Sequence, residues 1–307
     1  MISKKPIYVA KPSLCTKDEY CDTLNEVWDS GMLTHNGPLL IELESQLNKF
    51  LHSNNMVVVV NGTTALQLAI RALDVKGEVI TTPFSHIATC SAIQWEGCTP
   101  VFVDIDPDTL NIDPNKIEEA ITRDTSAIMP VHTFSNPCDI ESIQRIADRY
   151  NLKVIYDAAH AMSVIYGDRS IFEYGDISTV SFQATKLFNT GEGGGCIAMD
   201  HLLYKKLQQL RFFGFDDNEN VLCNGLNGKM TELHAALGLA NLRRLNEVIE
   251  DRRNKYKLYQ SFLLHRDDIR WQLFDENSYN YSYMPLIFDT EDILMNVLRE
   301  MGKNNVF

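Results

Sequence analysis

The sequence predicts an α/β protein with a mostly parallel, seven-stranded sheet and helices on both faces. Three observations predict it. Val57-Val58-Val59-Val60 is an unbroken β-branched run, as expected of a strand covered on both faces. About seven such apolar runs occur, and segments of helical spacing lie between several of them. At Asn61-Gly62-Thr63-Thr64 a strand passes through a small-residue turn directly into a helix pattern.

In chain order, Lys17–Ser30 reads as a helix, with Leu24, Val27 and Trp28 on one face and Gly31 as its stop. After the loop Gly31–Pro38, Leu40, Leu43, Leu47 and Phe50 recur at helical spacing, and Pro38 suits the first turn. Ala65–Leu73 is a clear helix after the valine strand. Further strands are expected at Glu78–Thr82, Pro100–Asp104, Ala127–Val131, Val154–Tyr156, Ser178–Phe182 and Gly195–Met199. The helices between them are Ile87–Trp95, Pro114–Ile121 and Ile140–Tyr150. Thr231 to about Leu264 reads as one long helix with a buried stripe through Leu233, Ala236, Leu237, Ala240 and Leu245. Charges gather at Glu247–Arg253, and a domain boundary is placed there: 1–250 as the large domain, 251–307 as a small α+β domain. In the latter, Tyr281–Phe288 reads as a strand, Glu291–Met301 as a helix, and Val306-Phe307 as the start of another strand. The small domain therefore reads as incomplete.

Composition narrows the function classes. A net charge of −13 over 307 residues disfavours nucleic acid and anionic membrane as partners, and no Lys/Arg block relieves it. No apolar run approaches bilayer length and no basic-then-apolar leader opens the chain, so a cytoplasmic location is expected. The seven cysteines are scattered without a CxxC pair, which suggests neither a disulfide framework nor a zinc site. No Gly-x-Gly-x-x-Gly opens a helix after a strand, which disfavours a nicotinamide-binding fold.

The chemistry centres on Ser181–Gly195. A strand-like run enters it, a glycine cluster leaves it, and Lys186 stands between Ala184, Leu187 and Phe188. Partial burial lowers an amine's proton affinity, and a neutral amine attacks carbonyls. Alone, Lys186 reads better as a snorkelling lysine at a strand end, and the glycines read best as a tight turn into the next strand. Val154–His160 places Asp157 at the C-terminal end of a buried strand, where open α/β sheets bind ligands. Alone, Asp157 reads as a helix cap and His160 as a core histidine. Together, Asp157 and Lys186 supply the two groups that pyridoxal phosphate requires: an amine for its aldehyde and a carboxylate for its ring nitrogen. Gly62, Thr63 and Ser181 could cradle its phosphate, and His86, in Pro83–Thr89, could cover its ring.

With these residues in place the chain resembles the pyridoxal-phosphate-dependent nucleotide-sugar aminotransferases of fold type I, the DegT/StrS type. The matching stretches are Gly31–Pro38, Asn61–Leu66, Pro83–Thr89, Pro100–Asp106, Asp157–Ala161, Ser181–Gly194 and Gly225–Glu232, in the family order. The resemblance implies pyridoxal 5'-phosphate as cofactor and Lys186 as the Schiff-base lysine. It implies Asp157 against the pyridine nitrogen, His160 near the phenolic oxygen, and Gly62, Thr63 and Ser181 at the phosphate. His86 stands where the family usually places an aromatic ring. Asn227 matches an asparagine that reaches the phosphate of the other subunit, which implies a homodimer with shared active sites. Gln183 replaces the family's usual histidine, and the family's C-terminal Arg/Tyr/Pro-containing segment is not matched.

The activity so implied moves an amino group from an amino acid, with glutamate as the expected donor, to a nucleotide-linked 4-keto-6-deoxyhexose. Within the family the chain is most similar to enzymes that aminate C4 of a thymidine-diphosphate sugar for O-antigen synthesis. Amination at C3 would use the same residues. A dehydratase on this scaffold would carry histidine at the lysine position, so Lys186 argues against it. A non-catalytic cofactor-binding or sensory protein is the alternative from another class.

Overall fold

The computed structural model describes residues 5–9 and 11–307. α1 (Lys17–Ser30) opens on a reciprocal cap: the Thr16 hydroxyl accepts from the Glu19 amide, and the Glu19 carboxylate accepts from the Thr16 amide. α2 (Pro38–Phe50) has no cap from its own Gly37. The buried Glu232 carboxylate serves instead, accepting from Leu39 N at 2.8 Å and Leu40 N at 3.1 Å. A Cβ on Gly37 would stand 2.6 Å from the Glu232 carboxyl carbon, so only glycine leaves room for this cap.

Alternation then sets in, with β1 (Met56–Val59), α3 (Gly62–Ala72), β2 (Glu78–Thr81), α4 (Ile87–Trp95) and β3 (Thr99–Phe102). It continues through α5 (Ile117–Ala120), β4 (Thr125–Ile128), α6 (Ile140–Tyr150) and β5 (Lys153–Asp157). A small hairpin, β6 (Ile165–Tyr166) and β7 (Arg169–Ser170), precedes β8 (Ile177–Ser181) and β9 (Gly194–Ala198). The remaining elements are α7 (His201–Arg211), α8 (Glu232–Leu242), α9 (Leu245–Leu263), β10 (Ile269–Trp271), β11 (Leu286–Phe288) and α10 (Glu291–Lys303).

The described residues form a seven-stranded sheet in the order β1-β9-β8-β5-β4-β2-β3. β3, β2, β4, β5 and β8 pair in parallel. β9 is antiparallel to both β8 and β1, so β1 runs in the same sense as β8. After β8 the chain reverses through a turn instead of crossing over a helix, which is the geometry of an antiparallel neighbour. The C-terminal ends of all strands but β9 therefore lie along one edge. Alternate residues of each strand feed two cores. Met56, Val58, Val154 and Tyr156 pack with α2, α6 and α8, whereas Val57, Val59, Ile155 and Ala127 pack with α3, α4 and α7. That period of two explains why these runs are apolar throughout.

The expected strands lie within a few residues of the observed ones, and the fold class stands. Several elements differ. The helix expected over 231–264 breaks at Arg243 and Arg244 into α8 and α9. The apolar stripe runs across the break, so periodicity does not reveal it. Pro114–Ile121 is a 3₁₀ turn followed by the single turn of α5. The strand expected from Tyr281 begins only at Leu286, because Tyr279 and Tyr281 turn inward onto Tyr256 and Tyr281 is left-handed at φ 58. α7, β10 and the β6–β7 hairpin have no counterpart in the sequence reading. Val306 makes a parallel bridge to Ile7. α9 runs through residue 250, and beyond it Tyr256, Tyr279 and Tyr281, with Trp271, Phe274 and Met284, form a third cluster apart from the sheet's two cores. No described helix is long and apolar enough to cross a membrane.

Candidate active site

The C-terminal edge of the sheet opens into a cavity of about 800 Å3. Gly62, Thr63, His86, Asp157, His160, Ser181 and Lys186 all line it. The sheet topology converges them: Gly62 follows β1, His86 follows β2, Asp157 ends β5 and Ser181 ends β8. Asn227 is not a wall of this cavity. It is exposed, bridged to Phe212, and its side-chain oxygen accepts from Lys229 Nζ at 2.6 Å.

Asp157 is only 5% exposed. The segment that follows β4 holds its backbone through a parallel bridge at Val131, with Asp157 N donating to Pro130 O and its carbonyl accepting from His132 N. Oδ2 accepts from the Thr89 hydroxyl at 2.7 Å, and Oδ1 accepts from Ala159 N at 3.1 Å. Burial raises its pKa, and these two hydrogen bonds, then the charges of Lys186 and His86, act against the rise. A carboxylate in such a position calls for a cation.

Lys186 follows β8 across a short turn in which its amide donates to Gln183 O at 2.8 Å. Gln183, the departure from the family pattern, uses its side-chain oxygen locally, accepting from the Thr185 amide and hydroxyl. Burial lowers the Lys186 pKa, and the negative charge of Asp157 opposes that shift. The amine is thus partly desolvated and close enough to the carboxylate to feel it.

At the other end of the cavity α3 presents its first amides. The Asn61 side chain caps Thr64 N at 2.8 Å, which leaves the Gly62 and Thr63 amides without intrahelical partners. Amides at a helix N-terminus attract anions. A Cβ on Gly62 would lie 3.0 Å from Ser181 Cβ, so glycine lets the helix start close against β8 and the Ser181 hydroxyl. The glycines at 193–195 serve a turn and a strand, as β9 begins at Gly194.

His86 caps α4, its Nδ1 accepting from Ala88 N at 3.2 Å. His160 is half-buried, and its Nδ1, closed off from solvent, has no hydrogen-bond partner. Its ring stacks on Phe134 and tilts against Tyr283 at 4.7 Å. Burial holds its pKa down at about 3, so the ring is neutral.

Pyridoxal phosphate fits this donor set on three observations. Asp157 is a buried carboxylate in need of a cationic partner, His160 has an unpartnered buried ring nitrogen, and the α3 amides lie open for an anion.

The sequence reading missed four residues here. Thr89 holds Asp157 and sits within the Pro83–Thr89 stretch, so its motif was visible but its role was not. Phe84 belongs to the same stretch and makes an edge contact with Phe134. Phe134, left-handed at φ 55, turns its ring into the cavity. Tyr283 arrives from the C-terminal unit with no local signal.

The chain matches the model of the DegT/DnrJ/EryC1/StrS aminotransferase family over residues 14–306. It is 43% identical over 305 residues to dTDP-4-amino-4,6-dideoxy-D-glucose transaminase of Shigella dysenteriae, covering 97% of this chain and 83% of that protein. The structure superposes on crystalline DesI, solved in the presence of its TDP-sugar product, with a TM-score of 0.93 and 33% identity, covering 99% of this chain and 79% of that one. It also superposes on Bacillus subtilis NtdA with bound cofactor PMP, with a TM-score of 0.85 and 32% identity, covering 96% and 71%.

Proposed function

The chain belongs to the DegT/DnrJ/EryC1/StrS aminotransferase family, and on that premise we propose that it uses pyridoxal 5'-phosphate to move an amino group from glutamate to C4 of dTDP-4-dehydro-6-deoxy-D-glucose. The observation that carries the reading is the buried, cation-seeking Asp157 facing the same cavity as the partly desolvated Lys186.

When bound, the cofactor supplies an aldehyde that accepts the amino group and a protonated ring that withdraws electrons. Asp157 would hold the ring-nitrogen proton, and Thr89 and Ala159 fix the direction of its carboxylate. The Gly62 and Thr63 amides and the Ser181 hydroxyl would hold the phosphate. Lys186 Nζ would be the amine that bonds the aldehyde carbon of the bound cofactor. With its pKa lowered by burial, the free Lys186 amine would be able to take and return the proton at a donor's α-carbon. His160 would offer its neutral ring to the phenolic oxygen, and His86, at the start of α4, would cover the cofactor's ring. Phe134 and Tyr283 narrow the cavity and exclude water.

We further propose a homodimer in which Asn227 reaches the phosphate of the partner's site, a cytoplasmic setting, and a product used for O-antigen polysaccharide. Residues 251–307 form the smaller unit that carries Tyr283 to the cavity.

The test is borohydride reduction of cofactor-loaded protein, then peptide mass analysis. A pyridoxyl adduct is expected on the Lys186 peptide and is lost in Lys186→Ala. Mixing with L-glutamate should bleach the visible absorbance, and the keto sugar should restore it with C4 amination by NMR. An unmodified Lys186 peptide overturns the reading. Amination at C3 overturns its regiochemistry alone.

A further inference from the structure

We propose that Thr89 and Ser85 are positioning residues acting through Asp157: a chain of two hydroxyls that sets both the direction and the ionisation of that carboxylate. The inference rests on the reading of Asp157 as partner of the cofactor's ring nitrogen.

Thr89 lies in the first turn of α4 and is 1% exposed. Its hydroxyl donates to Asp157 Oδ2 at 2.7 Å, and the Ser85 hydroxyl lies 2.7 Å from the same threonine oxygen. A hydroxyl carries a single proton. Thr89 gives its own to Asp157, so the Ser85–Thr89 bond has one remaining sense, with Ser85 as donor. Both protons then point along the chain towards the carboxylate. Ala159 N adds a third donor on Oδ1.

Protonating Asp157 would reverse the order. Asp157 would donate to Thr89, Thr89 to Ser85, and the Ser85 proton would turn away from the chain. Ser85 is itself a wall of the cavity. The chain therefore has two senses, each tied to one ionisation state, and its members polarise one another. Burial favours the neutral acid, and the three aligned donors favour the anion. The other charged or titratable groups that bear on Asp157 are Lys186 and His86; the thiol of Cys138 also couples to it.

The test uses cofactor-loaded protein carrying Thr89→Val, Thr89→Ser or Ser85→Ala. The first readout is the pH titration of the bound cofactor's visible absorbance; the second is the single-turnover rate with L-glutamate. Thr89→Val keeps the shape and removes the donor. It is expected to move the titration midpoint by about one pH unit or more and to slow the half-reaction about 10-fold or more, the worth of one hydrogen bond to a charged group. Thr89→Ser should return both readouts to within about 3-fold of wild type, with Ser85→Ala between Val and wild type. An unmoved midpoint in Thr89→Val overturns the proposal. So does equal impairment of Thr89→Ser and Thr89→Val, which would assign the effect to the threonine methyl. If Thr89→Val fails to fold, Ser85→Ala decides, and a wild-type midpoint there overturns the proposal. A wild-type protein that binds the cofactor but ignores glutamate refutes the donor assignment while the titration still tests the chain.

Discussion

Replacing Asp157 by asparagine should have opposite consequences for the loaded and the empty protein. The side chain is 5% exposed, so the ring nitrogen it faces would pair with it almost wholly out of water. Removing one partner of a buried ion pair costs about 3–5 kcal/mol. At about 1.4 kcal/mol per decade this is a 10²- to 10⁴-fold loss, divided between cofactor affinity and the glutamate half-reaction. The amide makes matters worse locally, since Thr89 and Ala159 both donate to this side chain and an amide has only one oxygen. The empty protein behaves differently. Burial raises the Asp157 pKa, so the folded state prefers the proton. Its contribution to stability is fully present below the unfolded value near about 4 and is lost as pH rises through the folded pKa. Asp157→Asn has no such dependence. Urea denaturation of cofactor-stripped protein should therefore show the wild type losing ground to Asp157→Asn as pH rises from about 4 to 8. Cofactor titration and stopped-flow absorbance with glutamate measure the other arm. A variant that binds cofactor and bleaches at the wild-type rate would refute the assignment of Asp157, and a stability difference that does not change with pH would refute the account of its burial.

Three further outcomes follow from the geometry. Gly62→Ala places a methyl 3.0 Å from Ser181 Cβ; overpacking of this kind costs about 1–3 kcal/mol and should weaken cofactor binding by displacing the α3 amides, as read by titration calorimetry. Glu232→Ala strips the partner from two buried amides, Leu39 N and Leu40 N, and should cost about 2–4 kcal/mol by chemical denaturation, with Glu232→Gln intermediate. His132 and His160 are both held at about 3 by burial, so their imidazole NMR signals should not titrate between about pH 8 and 5. Folding favours their neutral forms; their contribution to stability is present above about pH 6.5 and is lost as pH falls towards 3.

Much of the site was legible in the chain because its parts are local. A β-branched run followed by Asn-Gly-Thr-Thr already specifies a strand, a close turn and an open helix start. The Asp157 strand and the Lys186 turn are equally short-range patterns. Thr89, Phe84, Phe134 and Tyr283 were not recognised, because their roles are contacts across about 50 or more residues of chain or, for Phe134, a left-handed backbone that no propensity favours. Glu232 falls within a matched stretch, but nothing local says that it caps a helix 193 residues away.

By itself, then, the sequence determined the alternating α/β class, the position of each strand of the seven-stranded sheet to within a few residues, and the amine and carboxylate that line one cavity. These depend on side-chain period and on residue type. Tertiary structure alone decided that β9 runs against its neighbours, that α8 and α9 are separate helices, and that Tyr283, from beyond α9, lines the cavity. It also decided the state of each group, since a pKa depends on what surrounds a side chain in space: burial raises Asp157 and lowers Lys186.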